Sequence, residues 1–328
     1  MRIIMLVACW LVSSLWASEL VTSSLHAKIA FYSFRDGNYE IYTMNRDGSN
    51  STRLTFNEAP DAWPVWSPNG QQIVFHSYRD GNSEIYVMDA DGKNQRNLTC
   101  HPASDGYPSW SPDGNQIAFD SNRGALEGER KFEIYVMDTN GSNVKQVTNV
   151  GWASRPRWSP DGEWILLEAG EIYAIRPDGT RLWQVSNPRP DALMLLGGWS
   201  PDGKKVLYTE AVNLNPDISF PFIAALSPQG RQEVISWKPV KVPRMPFDTS
   251  TFSADGKSIL FCGETDDTWN IYRFELIGNQ LIQLTDNPGD DAGPQEWNSR
   301  LSVSPQGMLP QSWGRIKALY HKHFATDR

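Results

Sequence analysis

Short apolar runs recur along this chain, each bounded by polar turn residues. Ile73-Val74-Phe75, Ile117-Ala118-Phe119, Ile165-Leu166-Leu167, Val206-Leu207-Tyr208 and Ile259-Leu260-Phe261 are continuous, partly β-branched and too short for helices. They read as strands covered on both faces. A tight-turn signal precedes each. Trp66-Ser67-Pro68-Asn69-Gly70 recurs as Trp110-Ser111-Pro112-Asp113-Gly114, Trp158-Ser159-Pro160-Asp161-Gly162 and Trp199-Ser200-Pro201-Asp202-Gly203. Phe252-Ser253-Ala254-Asp255-Gly256 and Val303-Ser304-Pro305-Gln306-Gly307 are weaker copies. Pro presets φ, Asp or Asn caps its own turn and Gly accepts a positive φ, so each copy predicts strand, turn, strand. The spacing, about 41 to 53 residues, is that of four-stranded propeller blades.

The rest of the repeat supplies two more strands. After a polar turn such as Arg79-Asp80-Gly81-Asn82 comes Glu84-Ile85-Tyr86-Val87-Met88, with counterparts beginning at Glu40, Glu133, Glu171 and Asn270. A fourth, more polar strand ends in Leu54-Thr55, Leu98-Thr99, Val147-Thr148, Val185-Ser186 or Leu284-Thr285 and is expected at the solvent rim. Lys28 opens a second strand that lacks its first, while Leu301 to Ser304 is a first strand without followers. Pairing them would close the ring and remove both exposed sheet edges. The expected fold is therefore all-β: a six-bladed β-propeller of four-stranded antiparallel blades, spanning residues 28–307 and closed by a C-terminal strand. Asn213 to Pro221 and Trp237 to Pro246 carry several prolines and no clear pattern, so long loops are expected in the fifth blade.

Composition changes this picture little. The 328 residues fit one closed all-β array, and 25 Gly with 22 Pro supply its turns. A net charge of −8 without a Lys/Arg cluster argues against nucleic acid. Met1-Arg2 followed by an apolar stretch to Trp16 and small Ala17 reads as a signal peptide over 1–17, with Ala27 as a later cleavage point. The mature protein is then expected in the periplasm or outside the cell, monomeric, without a membrane span and with residues 308–328 as a tail. Cys100 and Cys262 lie in distant repeats and read as separate free thiols.

The run Ile-Ala-Phe, Arg-Asp-Gly-Asn, Glu-Ile-Tyr-Val-Met-Asp, Leu-Thr and Trp-Ser-Pro-Asp-Gly resembles the WD-repeat-like modules of the TolB-like propeller family. The resemblance covers nearly the whole mature chain but not the α/β domain that precedes the family's propeller. It implies a binding module, since the repeat itself carries no chemistry.

Asp61, Asp105, Asp191, Asp248 and Asp291 each occur shortly before a first strand and are expected at the mouth of the central channel. Converging carboxylates there could hold Ca²⁺, as the resemblance also implies, or meet a protein partner; no other cofactor is called for. The Glu before each Ile-Tyr recurs as a structural residue would, with Arg35, Arg79 or Arg123 as its expected partner. Trp63, Trp152, Trp237, Trp269, Trp297 and Trp313 lie outside the first-strand position and form either an aromatic face for protein or sugar or ordinary packing. No catalytic residue is assigned and no Gly-x-Ser-x-Gly elbow occurs. Protein binding in the cell envelope is the expected function. The alternative is a carbohydrate-active glycosidase or lyase with paired channel carboxylates as acid and base, the lyase version being weakened by only 5 His.

Overall fold

The computed structural model describes residues 27–126, 129, 131–187, 192–212, 219–227, 234–242 and 247–298. Its strands in chain order are β1 (Ala27–Ser33), β2 (Glu40–Asn45), β3 (Thr52–Arg53), β4 (Asp61–Trp66), β5 (Gln72–Ser77), β6 (Glu84–Asp89), β7 (Arg96–Asn97) and β8 (Asp105–Trp110). Then follow β9 (Gln116–Ser121), β10 (Glu133–Asp138), β11 (Lys145–Gln146), β12 (Ser154–Trp158), β13 (Ile165–Ala169), β14 (Glu171–Ile175), β15 (Trp183–Gln184) and β16 (Ala192–Trp199). The last are β17 (Lys205–Val212), β18 (Ser219–Leu226), β19 (Val234–Pro239), β20 (Phe247–Phe252), β21 (Ser258–Thr265), β22 (Thr268–Glu275), β23 (Leu281–Gln283) and β24 (Asp291–Asn298). They form six four-stranded antiparallel sheets, five built from consecutive strands and one ordered β24-β1-β2-β3. This is the six-bladed, C-terminally closed propeller that the repeats predict.

The third strand of a blade explains why period-2 sequences stack into a ring. In β6, Ile85 and Val87 pack with Ile117, Phe119 and Tyr135 of the next blade, while Tyr86 and Met88 pack with Ala30 and Ile41 of the previous one. Alternate side chains face opposite neighbours, so a blade buries both faces only between two others. Each wholly buried Ile or Phe here is worth roughly 1.5–3 kcal/mol. The last interface, Leu260, Ile271 and Leu284 against Ile29, Phe31 and Met44, seals the circle.

The recurrent turn has one geometry. Ser111 Oγ donates to Asp113 Oδ1 at 2.5 Å and accepts from Gln116 N at 2.9 Å, while Gly114 takes φ +73°. The recurrent Glu is structural, but its partners differ from those expected. Glu133 accepts from Thr148 Oγ1 at 2.5 Å and Gly151 N at 2.7 Å, Glu171 accepts from Ser186 Oγ at 2.5 Å, and Glu40 meets Arg53 at 2.8 Å. It ties the short outer strand to its own blade.

Two expectations need correction. The closing strand is β24, whose Lys28↔Trp297 and Ser33↔Asp291 register completes the first blade. Leu301 to Ser304 lie outside the described residues, as do the signal segment and the tail. The weak turn copy beginning at Val303 misled because β24 carries Glu296 opposite Ile29, where other blades place Trp66 or Trp110 opposite Ile73 or Ile117. The fifth blade is also more regular than its prolines suggested, since β18 contains Pro221 and β19 contains Trp237 and Pro239. Pro221 still contributes its carbonyl, which accepts from Val240 N at 2.8 Å.

Candidate functional site

All six inner strands carry a register shift at the same level of the ring. A bulge adds one residue, bends the strand and re-aims a side chain. The bulge residues Trp63, Tyr107, Arg155, Thr249 and Gly293 have φ of +56°, +48°, +53°, +30° and +61°. Four of these five residues are not glycine, although the left-handed region is costly for side chains. Such strain repeated around an axis points to function. Trp63, Arg155, Thr249 and Gly293 line the narrow central void together with Arg157 and Leu196. The sequence signal is the tetrapeptide Asp61-Ala62-Trp63-Pro64, echoed at Asp105-Gly106-Tyr107-Pro108 and Asp291-Ala292-Gly293-Pro294. The aspartate that opens it is among the expected site residues, whereas the bulge position two residues on carries a different side chain in each copy.

Around this level runs an aromatic ladder. Ring centroids are 5.1 Å apart for Phe34 and Tyr39, 5.4 Å for Tyr39 and Tyr32, 5.5 Å for Tyr32 and Trp63, and 4.7 Å for Trp63 and Tyr107. It continues through His76, 5.9 Å from Tyr107, to Tyr78 at 5.7 Å. Its two ends, Phe34 and Tyr78, are 44% and 46% exposed. Arg155 lies over Trp63 and Tyr107 at 5.2 and 5.1 Å from their centroids, a cation–π arrangement.

The expected acidic mouth is organised differently. Asp61, Asp105 and Asp291 are wholly buried and bonded to Arg79, Arg123 and Arg35 at 2.7, 2.8 and 2.9 Å. Each arginine also lies over two rings of its blade, as Arg79 does over Phe75 and Tyr86 at 5.7 and 4.6 Å. These arginines were expected to meet the recurrent Glu; they hold the inner-strand aspartates instead, fixing the loop between second and third strands. Burial raises the pKa of Asp61, with Ser77 and Arg79 opposing it. Asp248 is placed by its backbone opposite Cys262, and Asp191 lies outside the described residues. Among the described residues no three His, Cys, Asp or Glu are grouped as a metal ion would need.

The waist of the channel brings two arginines and two buried carboxylates together. Arg155 meets Glu168 at 3.4 Å, and Glu168 also accepts from Leu196 N at 2.5 Å. Behind it Asp120 accepts from Ser154 Oγ and, at 3.3 Å, from Arg155 N. Burial pushes Glu168 up and Asp120 to about 6. The void above Arg157 has only about 20 Å³, room for about one water. Below it a recess of about 190 Å³ opens towards the Ser-Pro-Asp-Gly turns, lined by Arg157, Gln295, Thr251 and the rings of Trp110, Trp158 and Trp199.

Of the other tryptophans, Trp297 is a packing residue of the closing strand, 6.1 Å from the Trp66 ring with Nε1 donating to the Pro68 carbonyl at 3.1 Å. Trp152 is 42% exposed, Trp237 and Trp269 belong to β19 and β22, and Trp313 lies outside the described residues.

Residues 60–175 match the family model described as the TolB beta propeller domain. An uncharacterized protein of Agrobacterium fabrum is 32% identical over 148 residues, 42% of this chain and 45% of that protein. The Tol-Pal system protein TolB of Geobacter sulfurreducens is 50% identical over 46 residues, 14% of this chain and 11% of that one. The chain therefore spans less than half the length of either relative. The crystal structure of TolB from Acinetobacter baumannii superposes with a TM-score of 0.69 at 19% identity, covering 82% of this chain and 66% of that one. Residues 60–175 thus match the TolB beta propeller domain, and the ring as a whole has the fold of the TolB propeller.

Proposed function

We propose that this propeller is an exported protein-binding module of the cell envelope, and that it meets its partner across the end of the ring where the inner strands begin. The observation that carries the reading is the aromatic ladder from Phe34 to Tyr78, crossing three blades at that end. Phe56, Leu126, Val150 and Trp152 are exposed on the loops of the same end, with Phe56 at 72%. Exposed aromatic side chains concentrate at this end, whereas among the described residues the other carries only the isolated aliphatics Val144, Leu182 and Ile277, and rigid aromatics make the strongest anchors of an interaction surface. Export rests on the signal-like residues 1–17. The propeller relationship to TolB, a protein named for the Tol-Pal system, supports an envelope role.

The carbohydrate-active alternative needs two carboxylates facing a cleft. The described residues lining the two channel voids include Arg155 and Arg157 and no carboxylate. The binding reading is therefore the one the geometry favours.

Affinity capture from the native envelope fraction tests it. Full-length protein carrying Phe56→Ala with Tyr78→Ala is compared with Ile277→Ala, a control on the opposite end that is 84% exposed. The expected result is one partner whose recovery falls at least ~10-fold for the double variant, since two anchors carry roughly 2 kcal/mol or more. Equal recovery with all three proteins, or loss with Ile277→Ala alone, would overturn the reading.

A further inference from the structure

Arg157 is a channel cation whose guanidinium the fold leaves only partly answered. It enters from β12 between Pro156 and Trp158 and lines both the narrow void and the lower recess, so it forms the floor between them. Neighbouring charges are already committed: Glu168 to Arg155 and Leu196 N, and Asp120 to Ser154 and the Arg155 amide. Arg157 donates from Nη1 to the carbonyl of Pro156 at 3.0 Å, while its Nε has no hydrogen-bond partner among the described residues. A guanidinium carries five N–H donors in a planar fork suited to a carboxylate. Left inside a protein without an anion it is expensive. Burial pulls its pKa down to about 10, and the nearby Arg155 pulls the same way, so it stays charged at neutral pH.

The recess beneath it has the complementary shape. Its walls are the rings of Trp110, Trp158 and Trp199 with Pro112 and Pro160, and Gln295 beside the arginine adds an amide. We propose that the lower mouth of the channel binds a small monocarboxylate with a compact apolar body, its carboxylate on Arg157 and its body between the indole rings. One cation facing apolar walls favours a singly charged acid over a phosphate dianion, whose second charge would meet no donor of its own there. The site lies at the opposite end of the ring from the proposed partner surface and does not depend on it.

Calorimetry on the full chain at neutral pH tests the assignment with benzoate as probe and with benzyl alcohol and inorganic phosphate as comparisons. Benzoate is expected to bind saturably, with benzyl alcohol and phosphate at least ~10-fold weaker. Arg157→Gln should weaken benzoate at least ~10-fold. Thr251→Phe, which adds a ring at another residue lining the recess and leaves the arginine in place, should do the same. Phosphate binding as tightly as benzoate, no benzoate binding to the natural chain, or benzoate binding unchanged in a folded Thr251→Phe protein would each overturn the site.

Discussion

His76 and Asp120 face each other across Gly106, where an added Cβ would lie 3.0 Å from Asp120 Oδ1 and 3.5 Å from His76 Nδ1. Burial pulls the His76 pKa from 6.5 to about 4, and burial pushes Asp120 from 3.8 to about 6 despite Ser154 and Arg155. Their effects on stability oppose each other. Between pH 4 and 6.5 the unfolded chain holds the histidine proton more tightly, so His76 makes stability rise with pH. Between pH 3.8 and about 6 the folded chain holds the aspartic proton more tightly, so Asp120 makes stability fall with pH. Relative to the natural chain, Asp120→Asn should therefore lose more stability, on the order of 2–3 kcal/mol, on acidification from pH 6.5 to 4, whereas His76→Gln should lose less over the same interval. Urea titrations across that range check both, and variant profiles that run parallel to the natural chain's would refute the assignment. A second residue-scale contrast comes from two turn glycines. Gly48 (φ +86°) would put a Cβ 2.3 Å from the Leu284 carbonyl oxygen of the neighbouring blade, while Gly37 (φ +98°) has nothing within 4 Å. Gly37→Ala should cost about 1 kcal/mol for its backbone alone, and Gly48→Ala clearly more because the blade interface must open. Equal melting shifts would show that the interface yields freely.

At the scale of elements, the inner strand does two jobs at once. Its lower half ends on the tryptophan of the turn repeat, such as Trp66 or Trp110, which made the strand legible in the sequence. Its upper half is bulged, and the bulge decides which residues reach the axis. Only pairing across the ladder reveals that choice, because Trp63, Tyr107, Arg155, Thr249 and Gly293 share no side-chain type. The aspartate that opens three of these strands was visible as a repeat, yet its partner was not. Asp291 and Arg35 are 256 residues apart in sequence and 2.9 Å apart in the fold, so their ion pair fastens the closing strand to the first blade. A chain ending at Asn298 should therefore keep the melting temperature of the natural protein and its association state in light scattering. One ending at Asp290 should melt lower or self-associate, because β1 becomes an open edge. If the shorter chain behaves like the longer, closure does not depend on β24.

For the whole molecule, the ring separates two ends with different chemistry. Aromatic and apolar side chains collect where the inner strands begin, and Arg157 with three indole rings faces the other way at the recess. Between them the waist is nearly filled, so a ligand below and a partner above would not share space. Most of the architecture was readable from local order: the turn pentapeptide, the alternating third strand and the incomplete first blade each depend on neighbours within one repeat. That is why six blades and C-terminal closure follow from the sequence. What tertiary structure alone decided is which charges meet. Burial and long-range pairing committed Asp61, Asp105 and Asp291 to arginines at one end of the ring and left Arg157 facing the recess at the other. A repeat specifies the blade it builds, whereas the channel is made by residues from different blades whose mutual placement exists only once the ring has closed.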